Sequence, residues 1–186
     1  MRTKIIDQIK NHLDKKKYTL LTRKTGKTST ETSRGYILNF SEDFILLQET
    51  DDFKILGYNI FPLKQIISLR HNENDEFYDK IIKAEKEDKK IGIKYSVDLS
   101  SWATIFQSIK SRKLNVIIEC ENPDNYSFDI GPIASLTKTS VYIQYMNGQG
   151  IIDKEPTKID LKLITKLMFD DRYINTLTKY ATKTIN

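Results

Sequence analysis

A single cysteine, Cys120, leaves this chain without an intramolecular disulfide, a CxxC redox pair or a zinc site built from several thiolates. Its neighbours Val116, Ile117 and Ile118 mark it as a small buried hydrophobe. The only two histidines, His12 and His71, fall in different elements with no acidic or thiol partner at ligand spacing. Neither is read as a general base or a metal ligand. No Gly-x-Ser-x-Gly elbow is present, so hydrolysis by a serine nucleophile has no support. Gly26, Lys27 and Thr28 imitate the end of a phosphate-binding loop, but that pattern requires a glycine where Leu21 stands. The segment also lies between two strands and lacks the helix N-terminus such a loop uses. The carboxylate pairs Asp51 with Asp52 and Asp170 with Asp171 suit turns and caps, because adjacent side chains point apart and no further oxygen ligands surround them. The expectation is a protein with no catalytic residues, no metal and no cofactor.

Long apolar runs are missing too. None approaches the ~20 residues that span a bilayer, and Ile5 and Ile6 are followed at once by Asp7 and Lys10 rather than by the core of a signal peptide. A cytoplasmic setting with no membrane contact is the expectation. Seven glycines and four prolines are few for 186 residues. With 39% apolar and 10% aromatic residues they indicate an ordered globular chain.

What the sequence does contain is a repeat. Gly35, Ile37, Leu38, Phe40, Ile45, Leu47 and Gln48 recur as Gly131, Ile133, Ala134, Leu136, Val141, Ile143 and Gln144. Each copy continues into a short β-rich unit, 66–69 and 164–167, and then into an apolar stripe at helical spacing, Phe77 with Ile81 and Tyr173 with Leu177. A unit repeated at this length means two small copies of one fold, with lobes at 1–90 and 91–186.

The first copy opens with an amphipathic segment over 3–17, where Ile5, Ile6, Ile9 and Leu13 share a face. Strands are expected at 18–22, 36–40, 44–48, 55–61 and 65–70, with a polar loop over 23–34 and a tight turn at Ser41, Glu42 and Asp43. A helix over 75–89 closes the copy with Phe77, Ile81 and Ile82 on one face, and 93–97 is read as a further strand. The second copy opens with a helix beginning near 98–101 that aligns Trp102, Ile105, Phe106 and Ile109. Strands at 116–120, 127–136, 140–145, 157–161 and 163–169 follow, and a helix over 170–182 ends the chain.

A helix, then a Gly-x-Ile strand, a turn, an Ile-x-Leu strand and a short closing Ile-Ile-Ser-Leu strand resemble the Sm-like small β-barrel. The resemblance implies a β-rich α+β fold: two tandem five-stranded antiparallel barrels, each preceded and followed by an α-helix. Residues by which Sm proteins grip RNA are not found, so only the fold is implied.

Charge gives the one lean toward function. Residues 1–34 hold ten Lys or Arg against three Asp or Glu. Lys15, Lys16, Lys17, Arg23, Lys24, Lys27 and Arg34 form the candidate nucleic-acid surface, converging near Tyr18 and attracting phosphates through counterion release. A protein partner is the leading expectation, through loops and sheet edges or through aromatics on the strands 58–61 and 142–145. The function read from sequence is therefore a non-enzymatic binding or scaffold protein, with RNA or DNA binding as the alternative. Oligomeric state is left open.

Overall fold

A computed structural model describes residues 2–183. Over these residues it is an α+β protein of four α-helices and mostly antiparallel sheet. The chain divides into two compact units, Met1–Tyr95 and Ser96–Asn186. Residues 91–95 fold with the first because the Gly92 N–H donates to Gln48 Oε1 at 2.9 Å and the Tyr58 hydroxyl donates to the Gly92 carbonyl at 2.8 Å. Residues 93–97 form no strand. No described helix is long and apolar enough to cross a membrane.

In the first unit, helix α1 (Arg2–Asp14) precedes strands β1 (Tyr18–Lys24), β2 (Thr30–Phe40), β3 (Phe44–Asp51), β4 (Lys54–Pro62) and β5 (Ile66–Arg70). Their order is β5-β1-β2-β3-β4, and the ladders are antiparallel. Ile5, Ile6, Ile9 and Leu13 of α1 pack on Leu21, Ile37, Ile45, Leu47 and Phe61, as the amphipathic spacing requires. Helix α2 (Glu73–Ala84) covers the other face, where Ile82 meets Tyr18 and Tyr36. Asn72 caps it through a capping box with Asp75. The helix stops at Ala84, short of 89, because Lys86 turns left-handed at φ 60° and Glu87–Lys90 form a 3-10 turn.

Two expectations are corrected here. The polar loop over 23–34 is mostly strand: Thr22 pairs with Thr32 and Lys24 with Thr30, leaving only 25–29 as the hairpin turn. β-branched threonines favour a ladder even without an apolar pattern. The sheet, moreover, is not a closed barrel. β4 and β5 stand at opposite ends of the five-strand order, since Pro62 has no N–H to give and the 3-10 turn Leu63–Gln65 redirects the chain onto β1.

The second unit holds α3 (Trp102–Ser111), β6 (Val116–Cys120), β7 (Ser127–Gly131), β8 (Ile133–Leu136), β9 (Ser140–Ile143), β10 (Ile151–Ile152), β11 (Thr157–Asp160), β12 (Lys166–Phe169), α4 (Arg172–Lys179) and β13 (Thr182–Lys183). β12, β6 and β7 form one antiparallel set and β8, β9 and β11 another, while β10 and β13 pair in parallel. The expected single strand over 127–136 is broken at Pro132. Ser101 caps α3 with Thr104 in a capping box, and Ile105, Phe106 and Ile109 are buried. α4 is shorter than 170–182 because Asp171 is its cap and Asp170 is left-handed at φ 50°.

The same backbone devices recur in both units. A Cβ on Gly35 would lie 1.9 Å from the Gln48 carbonyl oxygen, and one on Gly131 would lie 2.0 Å from that of Gln144. Both glycines hold a φ that L side chains rarely adopt, 153° and 149°. The ladder shifts register between Ile37 and Asn39, and again between Ile133 and Ser135. The turns match as well: the hydroxyl of Ser41 accepts from the N–H groups of Asp43 and Phe44, that of Thr137 from Thr139 and Ser140. Leu63 N–H donates to the Asp43 carbonyl at 2.7 Å and Leu161 N–H to the Thr139 carbonyl at 2.9 Å, each opening a 3-10 turn before the last strand.

Candidate functional site

The seven basic candidates do not form one surface. Lys15 and Lys16 are exposed and Lys17 half-buried where α1 meets β1, whereas Lys24 and Lys27 are exposed at the hairpin on the far end of β1. Seven residues of strand separate the ends by roughly 20 Å. Arg34 is exposed opposite Leu20. Arg23 is buried, 1% exposed, with its guanidinium 4.2 Å from the centre of the Phe61 ring. Tyr18, expected beside the patch, is in the interior and shares a 3.0 Å hydrogen bond with Thr50 Oγ1. Burial raises its hydroxyl pKa above the ordinary tyrosine value.

Lys15 and Lys16 join Lys83 around a cavity of about 490 Å³ that Asp79 and Asp88 also line. Lys83 pairs with Asp79, which accepts a 2.7 Å hydrogen bond from the Tyr36 hydroxyl. The carboxylates offset the lysines, leaving a mixed surface.

The two histidines do come together, their ring centres 6.0 Å apart. The Thr19 hydroxyl spends its proton on the Lys17 carbonyl at 3.0 Å, so it accepts from His12 Nδ1 at 2.8 Å. His71 Nδ1 donates to the Tyr18 carbonyl at 2.7 Å, leaving Nε2 facing Glu76 at 3.8 Å. Asp75 is occupied by Nε and Nη2 of the Arg70 guanidinium at 2.9 and 3.0 Å and by the Asn72 N–H. Burial lowers the His12 pKa to about 4, with Lys17 and His71 adding to the effect. Both rings are thus fixed by structural hydrogen bonds. Among the described residues, no group of three or more His, Cys, Asp or Glu is placed to hold a metal.

The features that sequence reading missed lie in the second unit. β7 is the last strand of its sheet and carries Tyr126 just before it and Phe128 within it, 68% and 41% exposed. Ser127 and Asp129 alternate with them and face inward, toward a cavity of about 490 Å³ also lined by Cys120 and Ile159. Asp129 is 6% exposed and its Oδ2 has no hydrogen-bond partner among the described residues. Burial raises the Asp129 pKa, a Ser127 side-chain hydrogen bond opposing part of the rise. Burial likewise raises the Cys120 pKa, which keeps the thiol neutral. The signal in sequence was the alternation Tyr126, Ser127, Phe128, Asp129 after Pro123.

The strand aromatics singled out in sequence do not stand on an exposed face. Tyr58 and Phe61 are in the interior, and Tyr142 and Tyr145 are half-buried. Phe77 and Tyr173, read as parts of apolar stripes, lie in the closing helices α2 and α4 and are 62% and 56% exposed. Compared with protein-family models, curated proteins and solved structures, the chain matches none.

Proposed function

We propose that this is a non-enzymatic binding or scaffold protein that engages a protein partner, built from two copies of one Sm-like unit. The duplication is supported by the paired glycines, turns, register shifts and 3-10 turns. The observation that carries the binding reading is the edge strand β7: its Ile130 carbonyl accepts the Met146 N–H at 2.8 Å, but along Ser127, Phe128 and Asp129 no described strand lies beyond it, and the exposed Tyr126 and Phe128 stand on either side of Ser127. An edge open over this stretch, with flanking aromatics, suits an added strand from a partner: the ladder supplies affinity, and alternate side chains supply selectivity. Phe77 and Tyr173 add one exposed aromatic contact on each unit.

The test is co-purification of a defined polypeptide that survives nuclease and high salt. Replacing Tyr126 and Phe128 with serine is expected to release that polypeptide while leaving the circular dichroism spectrum unchanged. Retention by the double variant excludes β7 as the docking edge.

The alternative, RNA or DNA binding, is favoured by one observation: Lys15 and Lys16 remain exposed beside Lys83 on a concave surface. Its mark is affinity that falls steeply with added salt. Lys15→Ala with Lys16→Ala then weakens binding, and Lys24→Ala with Lys27→Ala reports separately on the other end of β1. Arg23 has no part in that surface, being buried against Phe61.

A further inference from the structure

The two units differ at one equivalent place in their interiors. In the first, Arg23 pairs across the ladder with Glu31, four residues before Gly35; in the second, Cys120 pairs with Ser127, four residues before Gly131. The next inward pair is Leu21 with Ser33 in one unit and Ile118 with Asp129 in the other. Phe61, which carries the Arg23 guanidinium, pairs with Ile45; Ile159 pairs with Val141, the counterpart of Ile45 in the repeat. The first unit therefore fills this position with a cation on an aromatic ring. The second replaces both large groups with a cysteine and an isoleucine and adds a buried carboxyl.

From this we propose that the cavity beside Asp129 binds a single guanidinium or ammonium group, supplied by a small organic cation or by a basic side chain of a polypeptide. The second unit lacks the cation its sister carries and has the space and the acceptor to take one from outside. Its volume, about 490 Å³, lies within the ~300–1,000 Å³ of small-ligand sites. Asp129 Oδ2 is an acceptor with no donor among the described residues, and a buried charge left without a partner is costly unless a counter-charge arrives. Asp160 is a second carboxylate on the lining, and Tyr126 offers an exposed ring beside it. Lys158, the one cation on the lining, is exposed to solvent. The neutral Cys120 thiol sets no opposing charge. This site does not depend on strand addition at β7, so failure of one leaves the other standing.

The experiment is a titration of the full chain followed by amide and carboxyl NMR, using butylguanidinium as the probe and butylurea as its neutral counterpart. Butylguanidinium is expected to shift the resonances of Ser127, Asp129 and Cys120 saturably, and butylurea to leave them unmoved. Asp129→Asn is expected to weaken butylguanidinium at least tenfold. Cys120→Arg, which restores the side chain found in the first unit, is expected to abolish binding in a chain that remains folded, and it serves if the asparagine variant does not fold. A capped Gly-Arg-Gly peptide separates the sources: tighter binding than butylguanidinium assigns the site to a polypeptide side chain, and equal or weaker binding to a free cation. Absence of saturable shifts at these three residues, equal response to butylurea, or undiminished affinity in either variant overturns the proposal.

Discussion

Where residues 1–95 put an arginine in the interior, residues 96–186 put a cysteine, although the strands around both follow the same register. The same holds one layer away. α1 buries Ile9 and His12, three residues apart, and α3 buries Phe106 and Ile109 at the same spacing. The first unit thus keeps ionisable groups where the second is apolar, and the second keeps its own buried carboxyl, Asp129, where the first has Ser33. Backbone devices repeat while interior polarity does not. A close approach of main chain to main chain admits only glycine, whereas an interior position admits any side chain whose polar atoms and volume its neighbours can accommodate.

The largest effect is expected where the units agree. Gly35→Ala and Gly131→Ala each force a Cβ into a carbonyl oxygen and each cost about 3 kcal/mol or more, read by chemical denaturation. Gly148→Ala, with open space around it, serves as the control. A unit that tolerates its alanine does not share the close approach, and the comparison breaks there.

The next effect separates the units. Arg23→Ala removes a buried side chain and its contact with Phe61 and costs about 2–3 kcal/mol, whereas Cys120→Ala at the equivalent place costs about 1 kcal/mol or less. Equal losses would mean that the two positions are filled alike.

The pH dependence sharpens the contrast. Burial holds the folded pKa of His12 at about 4, below the ordinary histidine value of 6.5, so between these values the unfolded chain binds a proton that the folded one refuses. Stability is expected to fall by about 2 kcal/mol as pH drops from 6.5 toward 4, and His12→Leu to flatten that slope. Asp129 has the opposite sign. Its pKa is raised in the fold, so no penalty exists at low pH, and the penalty appears as pH rises past the unfolded carboxyl value and persists at neutrality. Asp129→Asn is therefore expected to gain about 0.5–2 kcal/mol at pH 7 and nothing in strong acid. A loss at pH 7 would show that the carboxylate is already compensated.

The smallest effect on stability is expected at Phe77 and Tyr173. Serine at either exposed site shifts stability by no more than about 0.5 kcal/mol, and any change in partner binding at unchanged stability identifies a contact residue.

Much of the fold was legible because the glycines mark places with no alternative residue, and because the isoleucine and leucine alternation through Ile45, Leu47, Val141 and Ile143 fixes which face is buried. The stretch 30–34 was not legible as strand, since Thr, Glu, Ser and Arg show no apolar alternation and the ladder to β1 is made by the backbone. Arg23 was assigned to the surface by its charge, and only the fold brings Phe61 beneath it. The histidine pair joins residues 12 and 71, which no local spacing relates. The cavity at Asp129 arises from Cys120, Ser127 and Ile159 on three strands of the second unit at once, so no local spacing in the sequence announces it.

Amide hydrogen exchange at the matched positions tests the equivalence of the two units most directly. If one backbone plan was used twice, Leu63 and Leu161, and likewise Ser41 and Thr137, exchange slowly as pairs, because each of these N–H groups is donated to the corresponding carbonyl in its own unit. Protection of one member of each pair with its counterpart exchanging at the rate of an open loop would contradict the duplication.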